Sequence, residues 1–144
     1  MIPVHSHPWR WLGISALALA GAGQAADLVV AVDGVRAADG QVKLMLFDRE
    51  EGFRKEDRAR QVLTVPATSA GVAATFAGLP PGRYAVIAYH DENGDGKLNL
   101  RFGMFPKEGY GLSNNPRLSG PPKFRDAAFE LGEAGRRIDI RLAY

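Results

Sequence analysis

The sequence predicts an all-β fold: a seven-stranded antiparallel β-sandwich that follows an N-terminal signal peptide. Three observations carry this expectation. About seven short runs rich in β-branched and aromatic residues alternate with Gly, Pro, Asp and Asn turn signals, and no convincing helical period interrupts them. A chain of 144 residues has room for one domain. Its first residues do not read as part of that domain, because basic Arg10 precedes the apolar run Trp11 to Ala20 and the small-residue stretch Ala22-Gly-Gln-Ala25-Ala26, the layout of a secretory leader.

Cleavage after Ala25 puts Gly23 and Ala25 at the two small-residue positions, with Ala22 and Ala26 as alternatives. Residues 1–25 are then the leader and 26–144 the domain. The apolar run is too short for a comfortable membrane span, so no integral membrane segment is expected in the mature chain. The absence of cysteine excludes a disulfide framework and a lipid-anchored lipoprotein. A periplasmic or secreted protein is the expectation. His5 and His7 leave with the leader, so His90 is the sole histidine of the mature chain. Arg10 also leaves, so 17 of the 18 basic residues face 16 acidic ones. These charges are interspersed, and a nucleic-acid partner, which would need a clustered basic face, is not expected.

Along the mature chain, Asp27 to Asp33 is a short β-branched strand, and Asp33-Gly34 and Asp39-Gly40 are turn signals. Gln41 to Asp48 alternates Val42, Leu44 and Leu46 with Lys43, Met45 and Phe47, a core face and a partly covered face. Arg49 to Arg60 breaks the pattern. Its Glu50/Arg54 and Glu51/Lys55 spacings are helical, but Gly52 and the missing apolar stripe favour a solvated excursion pinned by Phe53. Gln61 to Pro66 is a strand stopped by proline, and Gly71 to Phe76 another, with Val72, Ala74 and Phe76 inward. Pro81-Gly82 suits the centre of a type II turn, with glycine at positive φ. Arg83 to His90 is apolar on both faces and is the expected central strand. After a loop containing Pro121-Pro122, Ala127 to Leu131 is a short strand. Arg136 to Tyr144 sets Ile138, Ile140, Leu142 and Tyr144 against Arg137, Asp139 and Arg141. An outer-membrane barrel would also end on an aromatic after strict alternation, but its strands run to about ten residues and are even in number.

Between the central strand and the last two lies the stretch His90 to Asn115, around which the chain is organised. Asp91, Asn93 and Asp95 put side-chain oxygens at positions one, three and five of an EF-like loop, and Gly96 permits the sharp turn at position six. Lys97 would offer its backbone carbonyl at position seven, Leu98 would anchor the loop, and Asn99 would ligate at position nine directly or through water. A hard cation such as Ca²⁺ takes six to eight such oxygens. Position twelve, where a bidentate acid belongs, is Phe102, and a strand rather than a helix enters the loop. Glu108 is the acid able to fold back as an extra ligand. The plain alternative is a turn rich in Asp, Asn and Gly because those residues make turns.

One histidine and no cysteine exclude a multi-histidine zinc site and a Cys–His pair. A hydrolase centred on His90 would need Ser113 or a pair drawn from Asp91, Asp95 and Glu108, and nothing around Ser113 resembles a nucleophile elbow. The loop aromatics Phe102, Phe105, Tyr110 and Phe124 suit a carbohydrate or peptide surface, or else roof the open end of the core.

Taken in order, several motifs resemble one family. They are Phe47-Asp48 with Glu51-Gly52-Phe53, Leu79-Pro-Pro-Gly-Arg-Tyr84-Ala-Val86, His90-Asp91-Glu-Asn93-Gly-Asp95-Gly96-Lys-Leu98, Glu108-Gly-Tyr110-Gly111, Ser113-Asn114-Asn115, and Pro121-Pro122 with Phe124 and Ala127-Ala128-Phe129. Together they resemble the bacterial domain-of-unknown-function family 2141 over nearly the whole mature chain. The resemblance implies a small secreted or periplasmic protein and brings no activity with it. The same core is similar to immunoglobulin-like and prealbumin-like sandwiches, to carboxypeptidase-regulatory-like sandwiches, and, by its loop, to calcium-loaded repeats of bacterial surface proteins.

The expectation is therefore a non-enzymatic secreted sandwich that binds a divalent cation, Ca²⁺, at Asp91, Asn93, Asp95, the Lys97 carbonyl and Asn99, with Glu108 as an extra ligand. The ion would order a surface with Phe102, Phe105 and Tyr110 for a protein or glycan partner.

Overall fold

The computed structural model describes residues 24–101 and 105–144. The expected leader lies almost wholly outside the described residues, as does Phe102. The elements in order are strands β1 (Ala26–Asp33) and β2 (Gln41–Phe47), a single 3-10 turn (Glu56–Arg58), then β3 (Gln61–Pro66), β4 (Val72–Leu79), β5 (Gly82–Asp91), β6 (Leu100–Arg101), β7 (Phe105–Pro106) and β8 (Tyr110–Leu112). A one-turn helix α1 (Phe124–Ala127) precedes β9 (Phe129–Leu131) and β10 (Arg136–Arg141).

The chain is all-β, with each expected strand present and β6, β7 and β8 added from the stretch without a period. One sheet has the order β10-β1-β4 and a second the order β3-β2-β5-β8, with β9 also pairing with β5, while β6 and β7 pair with each other. β1 runs antiparallel to β4 but parallel to β10. The first sheet is thus mixed, which corrects the expectation of a seven-stranded, wholly antiparallel fold. Alternation tells which side chains of β10 face inward, but carries no information about strand direction.

The inner faces of both sheets meet in one buried cluster. β1 contributes Leu28, Val30 and Val32, β2 contributes Val42, Leu44 and Leu46, and Phe76, Val86 and Ile140 come from β4, β5 and β10; all are fully buried. The outer face of the second sheet is covered too. Phe53 from the charged excursion packs edge-on against Phe47 at 5.1 Å and Phe124 at 5.8 Å between ring centres. Such burial contributes about 1.5–3 kcal/mol for a side chain of this size, and hydrogen bonds from Lys43 to Glu56 and from the Arg60 N–H to the Leu46 carbonyl also hold the segment down.

β5 is the central strand. One long edge pairs with β2, while the other is shared by β9 at Gly82–Tyr84 and β8 at Ile87–Tyr89. Two turn assignments change. Gly82 opens β5 without a positive φ, and the nearest left-handed residue is Gly78, φ 68°, inside β4 where its pairing with β1 shifts register. Ala127, expected at a strand start, ends α1 instead. Asp33-Gly34 and Asp39-Gly40 turn as expected, with φ 79° and 72° at the glycines.

Candidate functional site

β5 carries His90 and Asp91 to one end of the sheet, and both are fully buried. The Asp91 carboxylate turns into the loop that follows. Its Oδ2 accepts the Gly96 N–H at 2.8 Å and the Gln41 side-chain amide at 3.2 Å. Its Oδ1 is buried and has no hydrogen-bond partner. An unpartnered carboxylate oxygen in the interior is costly. Gly40 packs directly on the Asp91 backbone carbonyl, a close approach that any Cβ would obstruct.

The loop wraps on itself through its Asp and Asn side chains. Asn93 Oδ1 accepts the Asp95 N–H at 3.1 Å, and Asp95 Oδ1 accepts the Lys97 N–H at 2.8 Å. The Asn99 amide donates to Asp95 Oδ2 at 3.0 Å. The Lys97 N–H first, and then the Asn99 amide, hold the exposed Asp95 carboxyl below the usual carboxylate range. Gly94 and Gly96 take φ of 71° and 76°, as the tight path requires.

Glu108 folds back as expected, although not onto a shell of carboxylates. Its two oxygens accept the backbone N–H groups of Glu92 at 3.2 Å and Asn99 at 3.1 Å, the two ends of the loop. The side chain acts as a clasp. Glu108 is buried, as is Asp91, and neither forms an ion pair among the described residues. Among the described residues no three His, Cys, Asp or Glu side chains converge closely enough to hold a metal ion. A cation here must therefore draw on amide and carbonyl oxygens beside the carboxylates.

Two groups around the loop escaped the sequence reading. The first is Lys43, buried on the outer face of β2. Its ammonium donates to both Glu56 oxygens at 2.9 and 3.0 Å and to the Gly96 carbonyl at 2.8 Å, which accounts for its three donors. The Tyr89 hydroxyl donates to the same carbonyl at 3.0 Å. Burial opposes the Lys43 charge, but the hydrogen bonds to Glu56, with the nearby Tyr89 hydroxyl, outweigh it and raise its pKa above the ordinary lysine value. A lysine at an alternating strand position signals only a polar face. That the excursion supplies Glu56 to cover it could not be read locally.

The second group surrounds His90. Its Nε2 lies 2.7 Å from the Asp39 carbonyl, which can only accept, so Nε2 carries the hydrogen. In the neutral ring Nδ1 accepts the Tyr144 hydroxyl at 2.8 Å, and that hydroxyl in turn accepts the Arg36 N–H at 3.1 Å. The Arg36 guanidinium lies 4.4 Å from the centre of the Tyr144 ring and grips Glu92 at 2.7 and 3.0 Å. Those hydrogen bonds hold the Glu92 carboxyl below its usual range. Gly109 lets the Tyr144 ring lie flush on the backbone. Sequence separation hid these partners, since Tyr144 and His90 stand 54 residues apart.

Ser113 and His90 are not brought together. Ser113 is fully buried; its Oγ accepts the Val86 N–H at 2.9 Å and donates to the Ala127 carbonyl. Its own N–H donates to the Val86 carbonyl at 2.9 Å. Val86 lies four residues before His90 on β5, roughly 13 Å along an extended strand, so Ser113 and His90 do not meet. Asn114 and Asn115 have structural partners as well. Asn114 donates to the Ala128 carbonyl, and Asn115 bridges the Asp139 carbonyl and the Arg141 N–H. Of the loop aromatics, Phe124 is buried and Tyr110 half-buried against the outer cluster, roofing the core rather than facing outward. Phe105 lies in β7, and its side chain and Phe102 fall outside the described residues.

An open hollow of about 590 Å³ lies at the other end of β1, lined by Ala26, Val29, Glu133 and Arg136 among others, and includes none of the loop residues. Among the described residues no helix is long and apolar enough to cross a membrane. No curated protein and no solved structure matches the chain. The family model described as an uncharacterized protein conserved in bacteria matches residues 30–139, a span from β1 to β10 that includes the loop, its clasp and the Ser-Asn-Asn segment. The chain therefore belongs to the bacterial domain-of-unknown-function family 2141.

Proposed function

We propose that this protein is a non-enzymatic β-sandwich, secreted or periplasmic, that binds one divalent cation in the loop between β5 and β6. The observation that carries the reading is the buried Asp91 Oδ1 with no partner. A hard cation supplies what that atom lacks, and buried charges that are not paired commonly coordinate metals. Asp91 is the anchor. Asp95, the side-chain oxygens of Asn93 and Asn99, and the Lys97 carbonyl provide the remaining donors, which are all oxygen and so suit Ca²⁺. As described, the Asn99 amide donates to Asp95; in the loaded loop it turns its oxygen inward. Glu108 holds the loop ends at the right separation, and the ordered loop presents a surface to a protein or glycan partner.

The burial of Phe124 and the half-burial of Tyr110 weigh against a glycan platform made from those rings. The full engagement of Ser113 and of both His90 nitrogens weighs against hydrolysis. The test is a thermal melt of the parent and of Asp91→Asn, in calcium and in chelator. Calcium at about one hundred times Kd adds about 2.7 kcal/mol to the parent, and Asp91→Asn loses that gain. An equal calcium shift in both proteins would remove Asp91 from the site.

A further inference from the structure

We propose that Glu56, on the charged excursion, sets the cation affinity of the loop through Lys43. The inference rests on the cation reading above and adds a second element that controls the same site.

Lys43 is the cationic side chain that reaches the loop from the sheet beneath it. Its ammonium is bonded to the carbonyl of Gly96 at 2.8 Å, and the N–H of the same residue is bonded to Asp91 Oδ2 at 2.8 Å. One residue thus separates a buried positive charge from the carboxylate that anchors the ion. A divalent cation beside Asp91 is repelled by an ammonium at that range, and the repulsion is strong because the Lys43 side chain is only 9% exposed. Glu56 offsets it. Both of its oxygens engage the ammonium, at 2.9 and 3.0 Å, so the loop faces a neutral pair rather than a bare charge. Glu56 sits on the 3-10 turn of the excursion whose Phe53 packs on the sheet, and its side chain is 47% exposed. Whatever draws Glu56 away uncovers the ammonium and weakens the ion. By reciprocity the bound ion strengthens the hold of Lys43 on Glu56. Glu56 and Asp91, 35 residues apart in sequence, belong to one electrostatic unit.

The test is a calorimetric calcium titration of the parent, Glu56→Gln and Lys43→Gln, with a melt of each in chelator as the check on folding. Glu56→Gln leaves the ammonium uncompensated and raises Kd about fivefold or more, since an ammonium and a divalent ion one residue apart repel by that much even at the dielectric constant of water and by more at a buried site. Lys43→Gln removes the repulsion, keeps a donor for the Gly96 carbonyl, and lowers Kd. Shifts of opposite sign support the proposal. A purely structural role for the pair would weaken binding in both variants, and that result, or no change in Glu56→Gln, overturns it. Should Lys43→Gln lose its fold, Glu56→Gln alone decides. A parent that takes up no calcium overturns the cation reading and this inference together; a parent that binds while Glu56→Gln leaves Kd unchanged overturns this inference alone.

Discussion

Ser113→Ala separates a structural serine from a reactive one. The Ser113 backbone and side chain together complete a ladder on β5: the N–H donates to the Val86 carbonyl while Oγ accepts the Val86 N–H, and the hydroxyl proton goes to Ala127. The site is fully buried, so no water replaces the hydroxyl. Alanine leaves a buried N–H without an acceptor, at about 1–3 kcal/mol. It also leaves a carbonyl without its donor, a smaller cost because carbonyls tolerate under-satisfaction better. The expected loss is about 2–4 kcal/mol in all. Urea unfolding followed by circular dichroism measures it. With a slope of about 1–3 kcal/mol per molar, the midpoint falls by about 1 M or more and the slope stays constant. A loss below about 0.5 kcal/mol, the range of an uninvolved surface substitution, would refute the assignment and return Ser113 to the list of reactive groups.

Phe53→Ala should release the excursion without unfolding the two main sheets. It removes the ring between Phe47 and Phe124, costs about 3–5 kcal/mol if the gap stays open, and makes the chain after Lys55 and Arg58 readily cut by trypsin; unchanged proteolysis would show that other contacts hold the segment. Acid should destabilise the protein through Glu92 and Asp48, whose carboxyls are held low by hydrogen bonds from Arg36 and from Arg49 and Arg60 respectively. A depressed folded-state pKa gives stability that is present at neutral pH and is lost as pH falls below about 4 through the folded values. Arg36→Ala should flatten that acid limb, and a limb of unchanged steepness in pH-dependent melts would remove the Glu92 contribution.

Much of the fold was legible because burial on one face of a strand imposes a two-residue period. That period located β1, β2, β3, β4, β5 and β10 to within a few residues and marked β5 as central. Direction was not legible: β10 alternates identically whether it runs parallel or antiparallel to β1. β8 was hidden because three residues, Tyr110-Gly111-Leu112, are too few to show a period. In the site, the Asp91-to-Asn99 spacing was visible because ligands and Asx turns both repeat locally. Glu108 was anticipated as an acid that returns to the loop, but as a ligand rather than a clasp on two backbone N–H groups. Lys43, Arg36 and Tyr144 were missed because each acquires its role from a partner on a distant element. The Ser-Asn-Asn segment is legible as a motif, yet its purpose, tying the end of β8 to β5, to the end of α1 and to β10, exists only in three dimensions.

The most direct test of the proposed cation site is an isothermal calcium titration of the purified, chelator-stripped protein. The predicted result is saturable binding of one ion per chain that disappears in Asp91→Asn. No heat up to millimolar calcium, with no rise in melting temperature, would contradict it and leave the loop a turn held closed by its own side chains.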